Sequence, residues 1–134
     1  MEPDLSSPNL TGLEAFAIEA ERVEKPWGYE VIWALTDNYC GKLLFVRAGE
    51  QLSLQFHRVK DETIYLHEGR IELELGAPGD PIPHTEVVGP GSAFRIQPGV
   101  VHRWRALEDS IVFEVSTPML DDVVRLEDRY GRAE

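Results

Sequence analysis

Four residues of the kinds that bind divalent metal ions are the clearest chemical feature of this sequence. Gln55, His57 and Glu62 fall within one short segment, and His102 follows much later in the chain. Two imidazole nitrogens with an amide and a carboxylate oxygen form a mixed ligand set. Such a set suits zinc, manganese, iron, cobalt or nickel rather than a structural thiolate site. It also leaves positions open for water and substrate, as metal-assisted catalysis requires. We therefore expect one divalent metal ion, with zinc as the first choice.

The elements around these residues must bring distant parts of the chain to one point. Gln55 and His57 are two residues apart on a predicted strand, so their side chains leave the same face. Glu62 begins the next predicted strand, and His102 follows a turn at Pro98. A barrel can direct all four side chains inward to a common site. Taken singly, each of them is more often a surface or hydrogen-bonded residue than a ligand.

Most of the chain from Lys25 onward has the pattern of short strands separated by turns. Runs rich in β-branched and aromatic residues alternate with glycine and proline, which predicts an all-β sandwich or barrel. The clearest strand runs are residues 29–33, 42–46, 63–66, 70–75 and 111–115. The stretch from Gly76 to Pro83 is interpreted as a loop between the two halves. The run 70–75 could also pair a sheet edge with a second copy, so we expect a homodimer.

The two ends of the chain differ from the strand-rich middle. Residues 1–24 are interpreted as an N-terminal extension, partly disordered or forming a short helix, because Thr11 and Glu14 have capping-box spacing. Residues 25–134 are expected to form the barrel and a short C-terminal helix. The helix is predicted after Pro118, where apolar residues recur at helical spacing and acids lie near its start.

Length, charge and cysteine content disfavour several classes of protein. The 134 residues fit one domain. A net charge of −11 disfavours binding to nucleic acid or to an anionic membrane surface, although a locally basic pocket can still take a small anion. The single cysteine, Cys40, allows no intramolecular disulfide, and no apolar run reaches the length of a membrane span. We therefore expect a cytoplasmic protein that acts on a small molecule.

Two motifs of this sequence resemble those of the cupin superfamily. The first, G-x5-Q-x-H-x4-E-x6-G, runs from Gly49 to Gly69 and has Gln55 where many members have His. The second, G-x5-Q-x-G-x2-H, runs from Gly91 to His102. The resemblance implies an all-β double-stranded β-helix, or jelly-roll barrel. It also implies one metal site formed by the four residues named above.

A narrower resemblance, to the cupin domain of type II mannose-6-phosphate isomerases, extends from Val23 to Arg132. It is carried by the segments K-P-W-G-Y from Lys25, L-S-L-Q-F-H from Leu52 and D-D-V-V-R-L-E-D-R-Y-G-R from Asp121. The resemblance implies a metal-dependent aldose–ketose isomerase whose substrate is a sugar phosphate, such as mannose 6-phosphate.

The sequence also departs from that family. Members usually have an aromatic residue near the position of Ile64 and Asn at that of Ala106. Many also carry a nucleotidyltransferase domain that these 134 residues do not contain. Gln97 stands in the Pro position of the second cupin motif. A domain of this kind can keep the scaffold and act on a different substrate.

Isomerisation of a phosphosugar needs a group that moves a proton and a cation that holds phosphate. Lys42 or Glu114 could carry the proton if either faces the interior; otherwise they lie on the outside of the barrel. Arg125 and Arg132 match the tail of the isomerase family and could hold phosphate, or they form i,i+4 pairs on a surface helix. Trp104 is the better aromatic candidate for lining the pocket, with a place in the core as its alternative.

Two other functional classes fit the same barrel. A non-haem metal oxygenase or another small-molecule metalloenzyme would use it, although cupin oxygenases favour three His or three His plus Glu, and Gln55 supplies a neutral oxygen instead. A non-catalytic sugar-binding module would keep the metal and the pocket but have no base near the bound sugar. Identification of the bound metal and of any bound ligand distinguishes these classes.

Overall fold

The computed structural model describes residues 17–77 and 83–133 of the chain. The helix or disorder predicted for the N-terminal extension falls mainly on residues 1–16, outside the described residues. Most of the predicted loop between the two halves, residues 78–82, also lies outside them. The described part forms eleven strands and no helix. No helix of this part is long and apolar enough to cross a membrane.

The strands follow one another closely through the described residues. In chain order they are β1 (Glu21–Lys25), β2 (Gly28–Leu35), β3 (Cys40–Val46), β4 (Leu54–Phe56), β5 (Glu62–Glu68), β6 (Ile71–Gly76), β7 (His84–Val88), β8 (Ala93–Ile96), β9 (Val101–Ala106), β10 (Ser110–Ser116) and β11 (Val124–Glu127). The five runs predicted from the sequence correspond to β2, β3, β5, β6 and β10. The first strand begins at Glu21, ahead of the expected barrel boundary at Lys25.

The strands form two antiparallel sheets that face each other across the interior. Sheet A has the order β1-β2-β3-β10-β5-β8, and sheet B has the order β11-β4-β9-β6-β7. Strands far apart in sequence are neighbours, as β3 and β10 or β4 and β9 are, which is typical of a jelly roll. The all-β prediction is therefore confirmed. Because β6 pairs with both β9 and β7, the run 70–75 offers no free edge to a second copy.

The tail of the chain forms a strand where the sequence predicted a helix. Val124 and Arg125 pair with Phe56 and Gln55, so β11 extends sheet B beside β4. β4 has only three residues and bonds β9 through its other edge. The N–H and C=O groups of its free edge need partners, which a neighbouring strand supplies and a helix does not. The predicted C-terminal helix is therefore wrong.

The inward side chains differ between the two ends of the barrel interior. At one end, which we call the apolar end, they form the core and include Val46, Leu66 and Ile71, each at most 1% exposed. Burial of such a side chain stabilises the fold by about 1.5–3 kcal/mol. At the other end, the charged end, the register places Lys42 of β3 opposite Glu114 of β10, and both side chains are buried.

Candidate metal centre and adjoining cavity

Three of the four predicted ligands meet inside the barrel at its charged end. His57 follows β4 directly, Glu62 begins β5, and His102 lies in β9. Nε2 of His57 lies 3.3 Å from Oε1 of Glu62, and Nε2 of His102 lies 3.2 Å from the same oxygen. All three side chains are buried, and one ligand atom from each lies within 4.8 Å of the other two. This cluster could hold one metal ion.

The hydrogen bonds of the two histidines orient both rings to bind a cation. Nδ1 of His57 donates to the carbonyl of Asp122 at 2.5 Å, and Nδ1 of His102 donates to the carbonyl of Val100 at 2.9 Å. A carbonyl can only accept, so Nδ1 carries a proton, and each ring, when neutral, has its lone pair on Nε2. Nε2 of His102 is buried without a hydrogen-bond partner among the described residues. Two lone pairs therefore converge on a carboxylate oxygen, an arrangement that fits a divalent cation.

The charges around Glu62 favour a cation in the same place. Burial alone would raise the pKa of Glu62, but the two imidazoles and the Lys60 ammonium hold that pKa far below its ordinary value. Burial likewise works to lower the pKa of His57, but the Glu62 carboxylate outweighs it and raises the pKa above its ordinary value. The carboxylate of Glu62 therefore stays ionised and attracts any cation that the imidazoles can bind.

Asp122, which the sequence placed only near the start of the predicted C-terminal helix, fixes the turn that connects two of the candidate ligands. Its carboxylate accepts hydrogen bonds from the backbone N–H groups of Arg58, Val59 and Lys60 at 2.8–3.0 Å. Burial would raise the pKa of Asp122, but these three donors lower it to about 2. Because the carbonyl of Asp122 also accepts from His57, one residue orients a ligand and the turn that leads to the next ligand.

Gln55, the fourth predicted ligand, lies beside this cluster on sheet B. Its Cα is opposite His102 of β9 on one side and Arg125 of β11 on the other. The side chain lines the same cavity as two of the ligands. Its Oε1 accepts a hydrogen bond from the hydroxyl of Ser53 at 3.3 Å. The ligand role of Gln55 stays a prediction.

A cavity of about 100 Å³ adjoins the cluster and is lined largely by charged side chains. It has room for about three water molecules. Five cationic residues line it: Lys25, Lys42, Lys60, Arg125 and Arg132. The acids in its wall are Glu62 and Glu114. Cationic residues therefore outnumber acids in the lining of the cavity, although the net charge of the chain is −11.

The three lysines of the cavity are paired with buried acids. Nζ of Lys25 and Nζ of Lys42 lie 3.8 Å and 3.4 Å from the carboxylate of Glu30. Nζ of Lys60 lies 3.2 Å and 3.3 Å from the two acids in the cavity wall. Their positive charges are therefore largely balanced within the protein.

The two arginines of the cavity differ from each other. Arg132 makes a bidentate pair with Asp128, with distances of 2.8 Å and 3.0 Å. Arg125 has a buried Nε without a hydrogen-bond partner in the described part of the chain. Since a buried donor normally has a partner, Arg125 is the cation best placed to bind an incoming anion.

Glu114 is the second buried acid in the wall of the cavity. It points inward from β10, and its Oε2 accepts a hydrogen bond from Nζ of Lys60 at 3.3 Å. Burial is the main cause that raises the pKa of Glu114 to about 7. The charge of Glu62 acts in the same direction, and Lys60 and Lys42 act against it.

The structure brings four of the five residues predicted for catalysis or substrate binding to the cavity. They are Lys42, Glu114, Arg125 and Arg132. Trp104 instead lies in the apolar core, 3% exposed, and does not line the cavity. Trp104 is the next inward-facing residue after His102 on β9, in the direction of the apolar end. Its ring therefore packs among core residues. Trp27 lines the cavity instead.

Three charged residues of the site were not predicted from the sequence. Lys60 lies in the turn between β4 and β5. The alternation of inward and outward side chains holds only along a strand, so it could not show that Lys60 points inward. Lys25 ends β1, a strand that the sequence pattern did not indicate. Glu30 points inward from β2. It is the one charged residue in the apolar run 29–33, and this is the feature of the sequence that could have indicated it.

Residues 43–116 match the Cupin domain family, and this protein therefore belongs to that family. The match covers more than half of the chain and includes all four predicted metal ligands. The resemblance to cupins is thus confirmed, whereas the narrower resemblance to isomerases stays a prediction. No curated protein matches the chain by sequence.

Several solved structures share this fold. The capsular polysaccharide assembling protein CapF from Staphylococcus aureus aligns with a TM-score of 0.73 and 17% identity, over 87% of this chain and 34% of its own. KdgF from Halomonas sp. aligns with a TM-score of 0.63 and 25% identity, over 78% of this chain and 91% of its own. Oxalate decarboxylase from Bacillus subtilis aligns with a TM-score of 0.68 and 17% identity, over 87% of this chain and 32% of its own. The chain spans about a third of the length of CapF and of the decarboxylase, and the likeness to these two shows the fold alone.

Proposed function

We propose that the protein is a metal-dependent isomerase that interconverts an aldose phosphate and the corresponding ketose phosphate. Mannose 6-phosphate and fructose 6-phosphate are the first candidate pair. One observation carries the proposal: a cavity lined by five cationic residues adjoins a buried cluster of metal-type ligands. Such a site suits a substrate that has both oxygens to polarise and a phosphate to bind. The resemblance to type II mannose-6-phosphate isomerases selects this reaction among those the site allows.

The reaction moves one proton from C2 to C1 and one from O2 to O1. No atom or electron is gained or lost, so neither oxygen nor a nucleotide is needed. The reaction does need polarised oxygens, a group that carries the proton between the carbons, and a cation for the phosphate. The charged end of the barrel offers a candidate for each requirement.

His57, Glu62 and His102, with Gln55 as the fourth ligand, would hold the divalent ion. When bound, the ion would supply the Lewis acid that polarises the C1 and C2 oxygens of the substrate. The carbonyl partners of the two Nδ1 atoms keep both imidazoles in the tautomer that this role requires. Zinc is the first choice, with manganese, iron, cobalt and nickel as alternatives.

Glu114 is proposed to move the proton between the two carbons. It is buried and lines the cavity, where a bound sugar would come within its reach. Lys60, 3.3 Å away, directs the carboxylate and balances its charge. Lys42, opposite Glu114 on the neighbouring strand, is the alternative proton carrier.

Arg125 is proposed to bind the phosphate group. Arg125, Gln55 and His102 are directly opposite one another on three neighbouring strands of sheet B. Strands lie about 4.8 Å apart, so the Cα atoms of Arg125 and His102 are roughly 10 Å apart. A sugar phosphate bound with C1 and C2 near the ligands would thus extend its phosphate toward Arg125. Arg132, already paired with Asp128, would support the same subsite.

The size of the cavity constrains how such a substrate would bind. Its volume of about 100 Å³ is below the roughly 300–1,000 Å³ of most ligand pockets. The cavity would therefore enclose only part of a sugar phosphate. A wider surface depression shares Leu120 with the cavity but is lined also by Asp37, Asp121 and Asp122, so the uncharged middle of the sugar rather than its phosphate would extend there.

A coupled assay with mannose 6-phosphate, fructose 6-phosphate and related aldose–ketose pairs tests this proposal. We expect turnover that a chelator abolishes and a divalent metal restores. Arg125→Ala should raise KM by about tenfold to a hundredfold, because a hydrogen bond to a charged group contributes about 1.5–3 kcal/mol. Arg103→Ala is the matched control and should leave the kinetics unchanged, since Arg103 pairs with Glu74 and Glu127 outside the cavity.

Other outcomes of these assays would replace the proposal. Oxygen uptake by the iron-loaded protein without isomerisation would indicate an oxygenase. Saturable binding of a sugar phosphate with no turnover in either assay would indicate a binding module. An equal loss of activity in Arg103→Ala and Arg125→Ala would show that the cavity is not the place where the substrate binds.

A further inference from the structure

The outer faces of the two sheets differ in charge. On sheet B, Arg103 reaches Glu74 and Glu127 at 3.1 Å and 3.2 Å, and Arg105 reaches Glu72 at 3.7 Å. Ion pairs of this kind on the surface of a sheet are typical of a face in contact with water. Sheet B therefore has an ordinary solvated outer face.

The corresponding face of sheet A lacks charge in its centre. The outward side chains of its four central strands include no Asp, Glu, Lys or Arg; these strands contribute residues 29–33, 41–45, 63–67 and 111–115. We call this surface the outer A face. Trp33, Tyr65 and Val115 on it are 46%, 44% and 53% exposed. In a chain with 28% charged residues, a patch of this extent without charge resembles the core of an interface.

The aromatic side chains of the outer A face are held in place by their neighbours. Tyr29 stacks on Phe45 with ring centroids 5.2 Å apart. The ring of Trp33 lies so close over Gly41 that a Cβ there would come within 2.7 Å of it. Rings fixed in this way lose little conformational entropy on binding, and such residues dominate the energetics of interfaces.

We infer that the outer A face binds the same face of a second copy of the chain in a twofold homodimer. Two copies, each of net charge −11, repel one another, and this face lets them meet without opposing like charges at its centre. Its rim charges are neutralised within each copy, because Glu24 on edge strand β1 pairs with Arg22 and Arg95 on the opposite edge strand β8 pairs with Asp61, so these residues add no unpaired like charge to the contact. A twofold axis along the strands places β1 of one copy over β8 of the other.

The extent of the sheet is sufficient for such a contact. Six strands about 4.8 Å apart, each presenting about five residues of about 3.4 Å, span roughly 500 Å². Two copies would then cover roughly 1,000 Å², which is about the lower limit for a specific interface. Because the contact uses the outside of sheet A, it leaves the charged end of the interior accessible.

Light scattering coupled to size-exclusion chromatography tests the dimer on the full chain. The wild-type protein should have twice the chain mass of 15.2 kDa. Val115→Glu should raise the dissociation constant by at least about a hundredfold, because twofold symmetry places two buried charges in one interface. Val87→Glu is the matched control: Val87 is 44% exposed on β7 of sheet B, and this variant should remain dimeric.

Circular dichroism of each variant would show that the fold is intact. A monomeric wild-type protein at about 100 µM would overturn the inference, as would a dimer that survives Val115→Glu or dissociates with Val87→Glu. If removal of residues 1–16 from a monomeric protein changed the fluorescence of Trp33, that segment rather than a second copy would be what covers this face.

Discussion

The two ends of the barrel interior are built from the same strands but carry opposite chemistry. β3 places Lys42 at the charged end and Val46 at the apolar end, and β5 does the same with Glu62 and Leu66. On β10, Glu114 is the inward residue at the charged end. Along each of these strands, the inward residues change from charged at one end to apolar at the other. This change separates the core from the candidate site.

This difference makes the charged end of the interior the better candidate for a functional site. Moving a charged group out of water costs several kcal/mol, and pairing offsets that cost only in part. Apolar side chains of similar size at the same positions would give a more stable barrel. Clusters of ionisable groups with shifted pKa values are typical of functional sites. Substitutions at the apolar end should therefore have the larger effect on stability, and those at the metal-type ligands of the charged end the larger effect on binding.

The largest effect on stability is expected at the apolar end. Leu66→Ala should lower the free energy of unfolding by about 2–5 kcal/mol, because it leaves a cavity in the core. Metal affinity of the folded protein should change by less than about threefold. Urea unfolding and metal titration measure the two quantities. Leu107→Ala, at a 37% exposed site, should change stability by only about 0.5 kcal/mol. A parallel loss of metal affinity in Leu66→Ala would contradict the separation of the two ends.

The next largest effect is expected at the turn that connects two ligands. Asp122→Ala removes the carboxylate that binds three backbone N–H groups. Metal affinity should fall by about tenfold to a hundredfold, as for other partners of metal ligands, and calorimetric titration measures this. Asp121→Ala removes an exposed neighbouring charge and should have little effect. Equal losses in the two variants would indicate net charge rather than geometry as the cause.

A smaller effect is expected for the charge network on β2. Glu30→Gln keeps the shape of the side chain but removes the charge that faces Lys25 and Lys42. The free energy of unfolding should fall by about 1–2 kcal/mol, because two cations lose their partner. Glu72→Gln, on the solvated face beside Arg105, should cost less than about 1 kcal/mol. If both variants have the same stability, the network at the charged end is no more sensitive than a surface pair.

The smallest effect on stability is expected for the ion pair between Asp128 and Arg132 in the tail, and it depends on pH. The hydrogen bonds from the Arg132 guanidinium hold the pKa of Asp128 below its ordinary value of 3.8. This pair therefore stabilises the protein above pH 3.8, and the stabilisation is lost as pH falls through the lower folded pKa. Asp128→Asn should reduce stability by up to about 1 kcal/mol at pH 7. The difference from wild type should stay constant down to about pH 5. A difference that varies near neutral pH in urea unfolding would contradict this account.

The strands and the His57–Glu62–His102 cluster could be predicted from the sequence because their signals are local. Alternation within 70–75 or 111–115 and the glycine and proline turns indicate strands without knowledge of their partners. His57, Glu62 and His102 fall in two spaced motifs, and the structure brings them together.

Features that depend on distant neighbours could not be predicted in this way. The tail forms β11 because β4 offers a free edge. The pattern of residues 120–126 contains no information about that distant edge. Trp104 and Trp27 are both buried aromatics, and only the register of β9 shows that Trp104 faces the apolar end. The role of Asp122 depends on its contact with a turn more than 60 residues away.

Calorimetric titration of metal-stripped protein with zinc tests the central claim most directly, with His102→Ala titrated alongside. One zinc ion should bind per wild-type chain. Binding to His102→Ala should be weaker by about a hundredfold or more, since about 10–16 kcal/mol of binding free energy is shared among four ligands. Saturable binding that is unchanged in His102→Ala would contradict the proposed centre. So would the absence of saturable binding for zinc, manganese, iron, cobalt and nickel to the folded wild-type protein.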